Sequence, residues 1–222
     1  TVCVIDVPTG REPNSVPTAR QGNRYVRSAR VSTVSTTLFV RHGTTTWNET
    51  DRIQGWAPVG LSETGRAEAE AVATHLSAAR DVDAVVSSDL ARTVETAERI
   101  ASAAGVPVET DQRLRERDFG VYQGLSSATF FERFPKLDLL ENGADAAAYT
   151  PESGESWLAV RDRVHAAFDD LVDRQETIVV VTHVNPIRLV VGECHGLDVV
   201  RSLTELSAAN CSVTEFDDRE LR

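Results

Sequence analysis

The chain has 222 residues, 41 % hydrophobic and 26 % charged, which suits one folded domain of about 180 residues plus a short appendage. Its net charge of −11 at pH 7 argues against nucleic acid or anionic membrane as partners, and no apolar run approaches the roughly 20 residues that span a bilayer. The same charge repels phosphorylated molecules at long range, so a phosphate site would have to be a local basic cluster.

Residues 1–35 carry Arg11, Arg20, Arg24, Arg27 and Arg30 against only Asp6 and Glu12, and Pro8, Pro13 and Pro17 interrupt any helix. The segment lacks the apolar core of a secretory signal. Its acid-poor, Arg- and Ser-rich composition superficially suggests a transit peptide, but the prolines account for it equally well. We read it as a flexible or irregular N-terminal tail. Residues 36–222 form the domain. Thr37–Val40 is a short apolar strand, and Ser62 caps a helix reaching Ala79 with Ala67, Ala71, Val72 and Leu76 on its inner face. Val82–Val86 is a second strand, followed by a helix from Asp89 to Ala104 that Gly105 ends, and a short strand over Val106–Glu109. A less regular stretch follows, with a short helix around Ser127–Phe134. Glu155–Arg174 is amphipathic and helical, Thr177–Thr182 is a fully apolar strand, and Asn185 caps a helix that begins at Pro186. Asn210–Phe216 reads as the last, edge strand. Strands alternating with helices predict an α/β fold, a three-layer α/β/α sandwich with a mostly parallel central sheet.

Cys3, Cys194 and Cys211 are widely spaced and form no C-x-x-C pattern. That excludes a disulfide framework and a cysteine zinc site, and predicts reduced thiols in a cytoplasmic protein. Lys136 is the sole lysine, so arginine carries nearly all the positive charge.

Four segments at strand ends or in loops carry the chemistry. Arg41-His42-Gly43 closes the first strand, where open α/β sheets bind ligands. Ser87-Ser88-Asp89-Leu90-Ala91-Arg92 places Arg92 in the first turn of a helix, a region already favourable to anions. Leu114-Arg115-Glu116-Arg117-Asp118-Phe119-Gly120 lies in the less regular stretch. Thr182-His183-Val184-Asn185-Pro186 puts a second histidine at the end of the apolar fourth strand. A neutral imidazole is a nucleophile at pH 7, and a guanidinium can hold phosphoryl oxygens through its planar fork of donors.

These four ordered motifs, spread over residues 36–216, resemble the histidine phosphatase superfamily, the group that contains the cofactor-dependent phosphoglycerate mutases. The resemblance implies a phosphoglycerate mutase-like fold and a metal-independent phosphomonoesterase without a cofactor, acting on a small phosphorylated metabolite through a phosphohistidine. By the same resemblance His42 would attack phosphorus, Arg41, Arg92 and His183 would hold the phosphoryl oxygens, and the backbone N–H of Val184 would assist. Asn48 would add a side-chain amide, with Gln54 and Gly55 bordering the mouth. Glu116 would protonate the leaving alcohol and later deprotonate the attacking water. Asp118 is the alternative acid.

The family offers phosphatases and mutases. The segment from Glu116 to Pro151 is short, with little basic charge beyond Arg117, Arg133 and Lys136, and Phe119 stands where mutases usually carry a tyrosine. Both departures favour a phosphatase over a mutase. A catalytically inactive binding module of the same fold is a further alternative. His75, His165 and His195 read as structural, Arg188 as a surface salt-bridge residue with substrate binding as the alternative, and Trp47 and Trp56 as pocket wall or core. The expected assembly is a monomer or homodimer.

Overall fold

A computed structural model describes residues 35–222. The predicted N-terminal tail, apart from Ser35, lies outside the described residues. Strands β1 (Thr36–Arg41), β2 (Ala84–Ser87), β3 (Val108–Thr110), β4 (Thr177–Thr182), β5 (Val213–Asp217) and β6 (Glu220–Leu221) form one sheet in the order β3-β2-β4-β1-β5-β6. The first four are mutually parallel, while β5 runs antiparallel to β1 and β6 antiparallel to β5.

The helices are α1 (Thr46–Glu49), α2 (Glu63–Ala79), α3 (Ala91–Ala104), α4 (Ser127–Arg133), α5 (Leu139–Ala148), α6 (Trp157–Val172), α7 (Val184–Cys194) and α8 (Val199–Glu205). Period-two alternation in the strands divides the core in two. Leu38, Val40, Val85, Val179 and Val181 meet Ala69, Val72 and Leu76 of α2 and Ala97 and Ile100 of α3 on one face. Phe39, Val86, Ile178 and Val180 meet Val160, Val164 and Phe168 of α6 and Ile187 and Val190 of α7 on the other. This is the predicted three-layer sandwich. Phe39 is central to the second face: its ring lies 5.8 Å from Phe168 and 5.6 Å from Phe216. Its truncation to alanine is expected to cost about 3–5 kcal/mol.

Several boundaries differ from the sequence reading. The inner face of α2 is Gly65, Ala69, Val72, Ala73 and Leu76, whereas Ala67 is exposed and Ala71 only half-buried. An alanine-rich helix marks its buried stripe weakly, and the smallest residues here face the loop after β1. A Cβ on Gly65 would collide with the carbonyl of Thr44, and one on Gly43 with the carbonyl of Gly65. That close approach is why the residue after His42 is glycine. Helix α3 starts at Ala91 with Leu90 as its cap, because Asp89 is turned outward to pair with Arg115 at 2.5 Å. Ser156, whose Oγ accepts from the Ala159 N–H, caps α6, so Glu155 lies just outside that helix. The second and third strands sit one to two residues later than predicted. The edge of the sheet is β6 rather than β5. Helices α5 and α8 fall in segments without a clear apolar period, and α5 is broken by Gly143 at φ 48°.

Helix α7 begins at Val184 with His183 in the capping position, not at Pro186 behind an Asn185 cap. Proline is tolerated anywhere in a first turn, since those N–H groups have no intrahelical partner. The shift frees the Asn185 side chain for another task.

Candidate active site

The parallel pairing of β1 with β4 sets Arg41 opposite Thr182. The next residue of each strand is a histidine, so register alone makes His42 and His183 neighbours, and the His42 N–H donates to the Thr182 carbonyl at 3.0 Å. Their rings lie 5.2 Å apart, and both side chains are buried. The loop is pinned from two sides. The Gly43 N–H donates to Thr96 Oγ1 of α3 at 3.1 Å, and Asn210 Nδ2 donates to the His42 carbonyl at 2.8 Å.

Two contacts settle the protonation of His42. Nδ1 lies 2.8 Å from the Gly43 carbonyl, which can only accept, so Nδ1 carries the proton. At the other nitrogen, the Arg92 Nε–H points at Nε2 from 3.3 Å and needs a lone pair there. Burial, then the charges of Arg92 and Arg41, hold the His42 pKa well below 6.5. His42 therefore presents a neutral ring whose Nε2 lone pair accepts from the Arg92 guanidinium.

Arg92 is itself almost fully buried and locked. Its Nη2 donates to the Gly55 carbonyl at 2.7 Å and Nη1 to the Ala57 carbonyl at 3.4 Å. Gly55 sits at φ 50°, a left-handed conformation that L side chains rarely adopt, and a Cβ there would push aside the end of the Gln123 side chain. Burial lowers the Arg92 pKa to about 10, which leaves it charged at neutral pH. Arg41 donates from Nη1 to the Ala208 carbonyl at 2.7 Å, and its buried Nε has no partner. His183 Nε2 meets Ser88 Oγ at 3.0 Å. Ser88 Oγ also accepts weakly from the Leu90 N–H at 3.4 Å, which leaves it a proton and a second lone pair for the contact with His183 Nε2. That Nδ1 is buried without a partner. A buried polar atom left without a partner costs about 1–3 kcal/mol, and Arg41 Nε and His183 Nδ1 are two such atoms here.

Glu116 faces this cluster. Its Oε1 accepts from its neighbour's N–H, that of Arg117, at 2.7 Å and from Asn185 Nδ2 at 3.0 Å. Arg41, Arg92 and Arg188 all feel its charge. The flanking arginines turn away: Arg115 pairs with Asp89 and stacks on Trp56, while buried Arg117 stacks on Trp157 at 4.5 Å. Asp118 is occupied in a turn, its Oδ1 accepting from the Gly120 N–H at 2.8 Å.

The other sequence-selected residues lie around the same mouth in different roles. Asn48 closes a capping box with Thr45, so its Oδ1 is engaged and Nδ2 is the end left over. Gln54 accepts from Thr45 Oγ1 at 3.0 Å. Val184 opens α7, placing its N–H among the unpaired donors of the first turn. Arg188 contradicts the expectation of a surface salt bridge. It is half-buried, bonds Asn185 Oδ1 and the Leu203 carbonyl, and forms no ion pair among the described residues.

Sequence reasoning missed Ser88, Asn185 and Arg163. Arg163 donates to the carbonyls of Arg113, Arg115 and Glu116 at 2.7, 2.6 and 2.9 Å, and pairs with Glu155 at 2.8 Å. Glu155 in turn accepts the Asp118 N–H at 3.0 Å, and Trp56 Nε1 donates to the Glu116 carbonyl at 2.7 Å. The acid-bearing segment is thus tied down on both sides of Glu116. Only the serine, directly after the second strand, gave a signal that sequence could have used.

No helix among the described residues is long and apolar enough to cross a membrane, and no three His, Cys, Asp or Glu side chains among them converge as metal ligands would.

Comparison with known proteins places the chain among relatives. A bifunctional protein of Mycobacterium tuberculosis is 36 % identical over 183 residues, covering 81 % of this chain and 50 % of its own length. The chain therefore spans about half the length of the mycobacterial relatives it matches. Phosphoglycerate mutase-like protein 4 of Arabidopsis thaliana is 40 % identical over 154 residues, 68 % of this chain and 67 % of its own. The solved structure of mycobacterial glucosyl-3-phosphoglycerate phosphatase with VO3 superposes with a TM-score of 0.71 at 31 % identity, covering 81 % of this chain and 91 % of that one. The sequence profile of the histidine phosphatase superfamily (branch 1) matches residues 37–221. With the family's model matching nearly the whole described domain, the chain belongs to the histidine phosphatase superfamily.

Proposed function

We propose that the chain is a metal-independent phosphomonoesterase that transfers a phosphoryl group from a small phosphorylated metabolite to His42 and then to water. The observation that carries this reading is the fixed tautomer of His42, with a lone pair at Nε2 under the Arg92 guanidinium. Nε2 attacks phosphorus, and the bond to the ester oxygen breaks. Arg41, Arg92 and His183 Nδ1–H hold the three non-bridging oxygens, with the Val184 N–H and Asn48 Nδ2 at the rim. The unpaired Arg41 Nε and His183 Nδ1 acquire their missing partners in that step. Gln54 and Gly55 act indirectly: Gln54 steadies the Thr45 cap, and the Gly55 carbonyl fixes Arg92.

Glu116, held by Asn185, gives its proton to the departing alkoxide. It then takes a proton from water as that water attacks the phosphohistidine, releasing inorganic phosphate and free His42.

A mutase would return the phosphoryl group to a second hydroxyl of the product, and the name of the Arabidopsis relative favours that reading. Against it, Phe119 has no hydroxyl and packs edge-on to Phe130 and Trp157, and Arg117 is buried rather than presented to a ligand. Supplying 3-phosphoglycerate separates the two, since a mutase isomerises it and a phosphatase releases phosphate. The primary test is hydrolysis of p-nitrophenyl phosphate with a chelator present. Wild-type turnover and a loss of about four orders of magnitude in a folded His42→Ala variant are expected. Turnover surviving in the variant would overturn the reading.

A further inference from the structure

Beside Glu116 a cavity of about 370 Å³ opens between α4, α5, α7 and α8. Asn185 lines it and donates from Nδ2 to Glu116 Oε1 at 3.0 Å, so one side chain links the cavity to the proposed acid. Its walls are mostly apolar, with Phe130, Leu139 and Leu203 lining it, and Phe131 and Leu140 at the rim. Leu140 is 80 % exposed and Phe131 45 %, together an unpaid apolar surface at the entrance.

The polar groups of the lining are mostly occupied. Asp138 Oδ1 accepts from the Leu140 N–H, Arg117 donates to the carbonyls of Glu155 and Tyr149, and Asn185 holds Glu116. Arg188 keeps an unpaired Nε beside its bonded Nη1, and of the Asp138 carboxylate only Oδ1 is engaged, at the cavity's outer side near exposed Leu140. A polyhydroxylated sugar placed here would leave several hydroxyls without partners, at a cost that an apolar body avoids.

We propose that this cavity is the leaving-group subsite and selects phosphomonoesters of alcohols with an extended alkyl or aryl body, one polar atom of which, close to the ester, is met by Arg188. The inference rests on the phosphomonoesterase reading and adds its substrate class. The test is kcat/KM of the full chain for n-alkyl phosphates from ethyl to hexyl and for 1-naphthyl phosphate, against glycerol 1-phosphate and glucose 6-phosphate. Wild type, Leu140→Ser and His42→Ala are compared. The wild-type value should rise about two- to fourfold per methylene and exceed that for both polyols. Leu140→Ser, a polar change at the rim of the proposed subsite, should flatten the rise, with its largest loss of kcat/KM at hexyl phosphate and its smallest at ethyl phosphate. A flat series, or polyols preferred, with hydrolysis still dependent on His42, would overturn the substrate class alone. Hydrolysis of no ester, or hydrolysis that survives in His42→Ala, would overturn the underlying reading and the subsite with it.

Discussion

The phosphoryl end and the leaving-group end of the site are built by different means. Arg41, His42 and His183 hang from adjacent parallel strands whose ladder fixes them, and Arg92 from a helix start clamped by two backbone carbonyls. Beyond Glu116 the walls come from short helices, one of them broken at Gly143, that leave large apolar side chains in solvent. On the proposed reading the sheet carries the chemistry, and the segment over residues 116–157 selects the alcohol. Loops on a rigid scaffold are where such variation is tolerated.

The comparison breaks most visibly at Arg92. Arg92→Gln should lower kcat/KM about 10²–10³-fold for every ester alike, because the lost charge serves the phosphoryl group common to all. A loss confined to particular alcohols would place Arg92 on the wrong side of the division.

Arg163 sharpens the boundary between the two ends. It touches no substrate and positions the segment that carries Glu116. Arg163→Gln should slow esters of poorly acidic alcohols about tenfold and leave p-nitrophenyl phosphate, whose leaving group needs no proton, nearly unaffected. A merely structural role would slow both equally.

The acid–base behaviour of the phosphoryl end gives a smaller effect. Burial first, then Arg92 and other neighbouring charges, keep His42 and His183 neutral well below pH 6.5. The nucleophile therefore stays competent as pH falls, and the acid limb of kcat/KM due to His42 lies well below the ordinary histidine range. Stability moves the other way. Below about pH 6.5 the unfolded chain binds protons at these histidines that the folded chain refuses, so Tm should fall as pH drops through that window. His42→Gln should weaken the dependence; an unchanged slope would remove His42 as a contributor. Last and smallest, Cys211 is buried, with its thiol pKa pushed up to about 12 by burial, so a thiol reagent should label exposed Cys194 before Cys211 in the native protein.

Much of the phosphoryl end was legible in sequence, because apolar strands ending in histidine announce both the element and the residue. The leaving-group end was not. Helix α5 has little apolar periodicity, and Asn185 resembles a helix cap while its side chain serves Glu116 instead. Arg163 looks like any arginine on an amphipathic helix until the fold brings three carbonyls to it. Such roles depend on backbone groups far away in sequence, which periodicity and propensity do not encode. The α2 stripe was misread for a related reason: alanine at nearly every other position hides which side is buried.

The central claim is that His42 carries the phosphoryl group between substrate and water. Its most direct test is to quench the enzyme during turnover of labelled phosphomonoester in alkali, where phosphohistidine survives, and to locate the label by peptide mapping. The account predicts an acid-labile phosphoryl group on the His42 peptide that disappears in His42→Ala and on chasing with unlabelled substrate. Turnover with no labelled intermediate, or label on any other residue, would contradict it.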